Sequence, residues 1–155
     1  MNPYAPPEAP VRDASAKAGS ALKAVGFGLG VDIGGTVLSG LMFGVVYAMV
    51  LGASGSSAEE IAATVNNVDT DSWLFYAGTA LGLGFSVLGG YVCARVARRS
   101  EYRLGAILAV LSALFGGLIA GDQYQLGTLV SVTLASIGGT FFGARLGYLK
   151  NRGTR

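Results

Sequence analysis

Asp32 is the one acid of this chain flanked on both sides by long apolar sequence. An ionisable side chain inside a membrane is costly, and where one persists it carries an ion or a proton, or is held by a partner. Arg95 and Arg145 each close a later apolar run, so the chemistry within reach is an ion pair or a cation pathway built on Asp32, Arg95 and Arg145. A structural role is the competing reading. Ile33 to Leu51 is long enough to cross a bilayer by itself, which would leave Asp32 at the interface as an N-terminal helix residue, where a carboxylate suits the helix dipole. Nothing else in the chain assembles a reactive group. With no histidine and a single cysteine, a His-dependent triad, a His metal site and a cysteine zinc site are all excluded. The sequence contains no phosphate-binding loop and no nucleophile elbow. No catalytic residue, cofactor or metal is expected, and the chain reads as non-enzymatic.

The elements that position Asp32 follow from composition. Of 155 residues, 52% are hydrophobic, 13% are charged and 25 are glycine. Average glycine usage is roughly 7%, so glycine is strongly enriched in a chain that is also unusually apolar. Disordered chains lack such apolar content, and soluble domains rarely combine the two. Four runs approach the ~20 residues that a helix needs to cross ~30 Å of hydrocarbon: about 25–51, 73–94, 104–120 and 126–149. Each is apolar on every face, whereas membrane strands would alternate. The fold class expected is all-α, a polytopic membrane protein built as a four-transmembrane-helix bundle.

The basic residues are completely sorted. Arg12, Lys17 and Lys23 precede the first span, and Arg95, Arg98, Arg99 and Arg103 sit between the second and third. Arg145, Lys150, Arg152 and Arg155 close the chain, which completes all eleven Lys and Arg. Every one falls on one side, while Glu59, Glu60, Asp69, Asp71 and Asp122 fall on the other. Basic loops stay cytoplasmic, so both termini are expected in the cytoplasm and the chain in the inner (plasma) membrane as a multi-pass protein. Topology accounts for the basic residues, and nucleic acid is not expected as a partner. Trp73, Tyr76, Tyr124, Tyr102 and Tyr148 fall near span ends, where amphipathic rings settle.

Two segments lie outside the membrane domain of 25–150, and one loop within that domain leaves the bilayer. Residues 1–24 form a cytoplasmic tail and juxtamembrane stretch, with all four prolines before Val11; proline lacks a donor N–H and keeps this start extended. The outer loop, 52–72, contains Ser56 with Glu59 and Ser57 with Glu60, both at capping-box spacing. Ile61, Val65 and Val68 then recur at helical intervals, which predicts a short amphipathic helix resting on the outer surface. Residues 151–155 form a basic cytoplasmic tail.

Two sequence patterns organise the spans. Gly78-Thr79, Gly89-Gly90 and Ala94-Arg95 of the second span reappear as Gly127-Thr128, Gly138-Gly139 and Ala144-Arg145 of the fourth. Both spans run the same way, so two tandem helical hairpins are expected. Small residues also recur every fourth position: Gly105, Ala109, Ala113, Gly117 and Gly121 in the third span, and Ala135, Gly139, Gly143 and Gly147 in the fourth. Gly26, Gly30 and Gly34 do the same in the first. Such stripes let helix backbones approach closely in lipid, so these are expected packing faces.

The proline-rich Met1–Pro7 start, the four spans and the Gly-Gly-x3-Ala-Arg ending of the second resemble small four-span bacterial inner-membrane proteins of unknown function, a resemblance that carries no activity with it. Gly30-Val31-Asp32-Ile33-Gly34-Gly35-Thr36 resembles the phosphate-binding signature of sugar kinases of the actin-like ATPase fold. There the motif occupies a turn between strands; here it opens a continuous apolar helix in a chain too short for two lobes. The function expected is packing through glycine stripes, with the bilayer, a second copy or another membrane protein as partner, as a homo-oligomer or an accessory subunit. The alternative is a small channel or transporter that uses Asp32.

Overall fold

The computed structural model describes residues 19–66, 69–121 and 124–153. It contains five helices: α1 (Ala21–Ala53), α2 (Ala58–Asn66), α3 (Trp73–Ala97), α4 (Glu101–Ala120) and α5 (Leu126–Arg152). The proline-rich tail, Arg12, Lys17, Asn67, Val68, Asp122, Gln123 and Arg155 lie outside the described residues. α1, α3, α4 and α5 are each long and apolar enough to cross a membrane. The chain is an all-helical four-helix bundle, as its composition implies, and fits an integral, multi-pass membrane protein.

Helix boundaries differ from the hydropathy limits in two informative places. α1 begins at Ala21, so Asp32 lies about three turns inside the helix and not at its N-terminus. Interfacial placement at the helix N-terminus is thereby corrected. No proline interrupts Ala21 to Val31, and the helix continues through Gly26, Gly28 and Gly30. At the other end α5 runs through Arg152, so the helix continues past 150, and Asn151 is buried in the bundle.

Loops are set by local chemistry. Ser57 and Glu60 form the capping box: the Ser57 N–H donates to Glu60 Oε2 at 2.8 Å, and the Glu60 N–H to Ser57 Oγ at 3.3 Å. Ser72 caps α3 through Phe75 N–H at 3.2 Å. The reversal from α3 to α4 passes through Arg98 and Ser100, both with left-handed φ (51° and 54°). α2 folds back on α1: Val65 reaches toward Gly44 and Ile61 toward Gly52.

Packing directions follow from which residues meet. Gly28, Asp32 and Gly35 of α1 lie against Cys93, Gly89 and Phe85 of α3, an antiparallel pair. Gly139, Gly143 and Gly147 of α5 lie against Leu83, Val87 and Tyr91 of α3, a parallel pair. Tyr102 of α4 meets Tyr148 of α5 with ring centroids 5.3 Å apart, and Gly105 faces Ala144. Going around the bundle the order is α1, α3, α5, α4. One end therefore gathers Lys23, Arg95, Arg98, Arg99, Arg103, Arg145, Lys150 and Arg152. The opposite end carries Glu59, Glu60, Asp69 and Asp71.

The two halves of the bundle are packed differently. Buried residues are Ala24, Gly28 and Asp32 of α1; Ser86, Gly89, Gly90, Cys93, Ala94 and Ala97 of α3; Glu101, Gly105, Leu108 and Ala109 of α4; and Thr140, Gly143, Ala144, Gly147 and Asn151 of α5. All lie in the half toward the basic end. Among the described residues, none toward the acidic end is buried. The helices meet closely at one end and stand apart at the other.

Candidate functional site

Where the packed half gives way to the open half, one polar residue from each long helix converges. The Ser86 hydroxyl donates to Asp32 Oδ1 at 2.9 Å, and the Ser112 hydroxyl donates to Asp32 Oδ2 at 2.5 Å. Ser86 and Ser136 Oγ atoms are 2.7 Å apart. A serine hydroxyl has one proton, and that of Ser86 goes to Asp32, so Ser136 must donate to Ser86. The network runs Ser136 to Ser86 to Asp32, with Ser112 approaching from the other side. Asp32 is 4% exposed and Ser86 3%, and no buried side-chain polar atom among the described residues lacks a partner.

Glycine makes this meeting possible. A Cβ at Gly89 would fall 2.8 Å from Asp32 Cβ and 2.8 Å from the Gly28 carbonyl oxygen. One turn along, a Cβ at Gly28 would fall 2.8 Å from Leu108 Cδ2 and 3.0 Å from Cys93 Cβ. Without side chains at 28 and 89, α1 and α3 approach closely enough to bring Asp32 against Ser86. On the other flank of α3, Gly90 lies against the Thr140 carbonyl, and Gly143 of α5 against the Val87 carbonyl. That contact sets Ser86 beside Ser136. These pairs have a common offset: Ser86 and Ser136, like Gly90 and Thr140, are fifty residues apart. The two like-directed helices thus pack side by side with Ser86 level with Ser136.

Above this centre lies a cavity of about 480 Å³. Asp32, Ser86, Ser112 and Ser136 line its floor, and Thr36, Thr79 and Thr133 line its lower wall. Phe43, Phe115, Tyr47, Phe75 and Tyr124 line it toward the acidic end, where Val65 of α2 also reaches it. Phe75 and Tyr124 meet edge to face with centroids 5.6 Å apart. Asp32 is the one carboxylate of the lining, and no lysine or arginine lines it among the described residues. Gly40, Gly44, Gly78, Gly82 and Gly116 line it as well. At 40, 78 and 116 an added Cβ would meet nothing within 4 Å, so these glycines enlarge the cavity instead of closing a contact.

The two arginines lie elsewhere. Arg95 follows Ser86 by nine residues in α3, and Arg145 follows Ser136 by nine in α5, about 14 Å along each axis at 1.5 Å per residue. Arg95 Nη1 donates to Asn151 Oδ1 at 3.1 Å. The Asn151 amide in turn donates to the Ala94 carbonyl at 2.9 Å and to Glu101 Oε1 at 3.4 Å. This second node ties α3, α4 and α5 together at the basic end and leaves Asp32 to its serines.

The stripe residues divide between packing and open space. Gly139, Gly143 and Gly147 face α3, Gly105 faces Ala144, and Ala109 is buried. Ala113 lines the cavity. Gly117 meets nothing within 4 Å, and Gly121 meets only the Gly117 carbonyl of the preceding turn.

Ser112, Ser136 and Asn151 are site residues that hydropathy reasoning passes over. Ser112 had a signal: past Arg103 it is the one polar side chain of an otherwise apolar span. Ser86 and Ser136 had another, since both precede an Ala-Arg pair by the same distance. Comparison of the chain with protein-family profiles, with curated proteins and with solved structures found no match.

Proposed function

We propose that this protein is a small, non-enzymatic transporter of the inner membrane, with both termini cytoplasmic, whose solute site is the Asp32 centre. The observation that carries this reading is the convergence of Asp32, Ser86, Ser112 and Ser136, from four different helices, on the floor of a 480 Å³ cavity. A buried carboxylate with hydroxyl donors but no countercharge is expensive in a low-dielectric interior. A cation that enters the cavity offsets that cost, which gives the site its sign preference. The sorted charges support the orientation, because basic loops remain on the cytoplasmic side; the cavity then faces outward. A site open to one side with closed packing beneath it favours a transporter over a continuous pore.

The test is flux in proteoliposomes. Reconstituted protein should accelerate movement of at least one cation from a panel of alkali ions and organic ammonium ions, and Asp32→Asn should reduce that movement at least about tenfold, the loss of ~1.4 kcal/mol of interaction. Flux equal to that of empty liposomes removes the transporter reading, and flux unchanged in Asp32→Asn removes Asp32 from it.

A second reading, association through glycine stripes, is favoured by α1. Gly26, Gly30 and Gly34 sit on its exposed side, and an added Cβ at any of them would meet nothing within 4 Å. Small residues at this spacing admit a second helix backbone, so a copy of this chain or an accessory role in a membrane assembly fits that face. Native mass measurement in nanodiscs decides it: an oligomer that dissociates in Gly30→Leu supports the reading, and a strict monomer ends it.

A further inference from the structure

Resting on the reading of the Asp32 cavity as a solute site, we infer that its ligand is a monovalent organic cation with an apolar body, of the ammonium or phosphonium kind, and not an inorganic ion. Three features of the cavity select this class.

The first is the donor set. A hard metal ion takes six or more oxygen ligands, and here the floor has one carboxylate whose two oxygens already accept from Ser86 and Ser112. Ser86 and Ser112 point their protons at Asp32 and Ser136 points its proton at Ser86, and the backbone carbonyls around them belong to continuous helices. A dehydrated alkali or divalent ion finds no ligand cage.

The second is the wall. Phe43, Tyr47, Phe75, Phe115 and Tyr124 occupy the space between the floor and the acidic end. Aromatic faces attract cations, and most strongly cations that have little hydration to lose. An ion with apolar substituents gains from burial against these rings, whereas a hydrated inorganic ion only loses water to them.

The third is size and charge balance. At about 480 Å³ the cavity falls within the range of small-molecule sites, roughly 300–1,000 Å³, and far exceeds the volume of a bare ion. One carboxylate, with no second acid in the lining among the described residues, balances one positive charge. Asp32 sits at the bottom and the rings above it, so the ligand's charged centre lies deepest, with its apolar groups toward the acidic end.

Tetraphenylphosphonium is a suitable probe, measured by equilibrium dialysis and calorimetry with the full chain in detergent micelles. Expected are saturable binding with one site per chain, at least about tenfold weaker binding in Asp32→Asn, and a several-fold loss in Phe115→Ala. Potassium in about hundredfold excess should not displace it, and neutral triphenylphosphine oxide should bind at least about tenfold more weakly. Unsaturable uptake, equal affinity in Asp32→Asn, or displacement by potassium overturns the inference. If Asp32→Asn fails to fold, Gly116→Leu takes its place. It fills the cavity at a position where a Cβ meets nothing, so it should abolish binding with thermal unfolding unchanged, and retained binding places the probe elsewhere. Absence of phosphonium binding alongside Asp32-dependent flux of an alkali ion overturns the ligand class alone and leaves the transporter reading standing. Absence of both removes both.

Discussion

Gly89 and Asp32 face each other so closely that a methyl group on Gly89 would come within 2.8 Å of the Asp32 Cβ. Packing and site are therefore one contact, and Gly89→Ala should damage both. Overpacking of this kind costs about 1–3 kcal/mol, and here it also pushes Asp32 away from Ser86. Thermal unfolding in detergent, followed by circular dichroism, should show the lower midpoint. Gly30→Ala, on the open side of the same helix pair's α1, should leave the midpoint unchanged or slightly raised, since alanine is the better helix former by ~1 kcal/mol.

The three serines should rank by their distance from the carboxylate in the hydrogen-bond chain. Ser86→Ala removes the donor to Asp32 Oδ1 and strands Ser136 at once, whereas Ser136→Ala leaves the Ser86–Asp32 bond in place. The expected losses are about 1–3 kcal/mol for the former, from an unsatisfied buried group, and about 1 kcal/mol for the latter. Ser112→Ala should match Ser86→Ala because it frees Asp32 Oδ2. In the background of Asp32→Asn, Ser86→Ala should cost less than alone, the non-additivity of contacting groups; additive losses would break the proposed network.

Asn151 predicts a second, independent weakness. Its amide joins Arg95, the Ala94 carbonyl and Glu101, and the residue is buried. Asn151→Leu leaves those polar groups in search of water, for about 1–3 kcal/mol. Cation flux or binding should persist, because this node lies far along the bundle from Asp32. A variant that keeps its stability but loses the Asp32 activity would contradict that separation.

Cys93 supplies a chemical reporter. It has no exposed surface and packs with Ala24, Ala97 and Leu108, so a membrane-permeant maleimide should leave it unmodified in the folded chain and label it on unfolding. Rapid labelling of the native protein would mean that the tight half opens. Orientation needs other thiols in a Cys93→Ala background. The proposed orientation, with the basic end inward, requires Ala58→Cys to react from outside the cell and Gly153→Cys only from the cytoplasm; the reverse pattern would overturn it.

What the amino-acid order discloses here, and what it conceals, depends on whether a feature is local. Four long apolar helices are local, because in lipid the backbone must bond to itself. The Ser57–Glu60 cap is local too, and the structure forms it as spaced. The polar centre is not. A serine in a membrane helix ordinarily bonds back to a carbonyl of its own turn, as Ser39 does to Thr36 and Ser131 to Gly127. Ser86, Ser112 and Ser136 differ from these only in facing the bundle axis at the same depth, which depends on how all four helices rotate against one another. The glycine stripes show the same limit. Their spacing is visible in sequence, but Gly143 closes a backbone contact while Gly117 meets open space, and only the packing distinguishes them.

The uneven tightness of the bundle has a mechanical consequence. For a solute bound at Asp32 as proposed, the closed packing beneath makes this conformation a cul-de-sac, left by the door of entry. Passage to the far side requires the base of the vessel to part, and that base is held by Gly28 with Gly89, Gly90 with Thr140, and Gly143 with Val87. Backbone approaches backbone at these contacts, and the side chains beside them, Leu108 and Cys93, are fully buried in the packed half. The transporter reading therefore requires whole helices to tilt about the level of Asp32, so that widening one mouth narrows the other like a rocker.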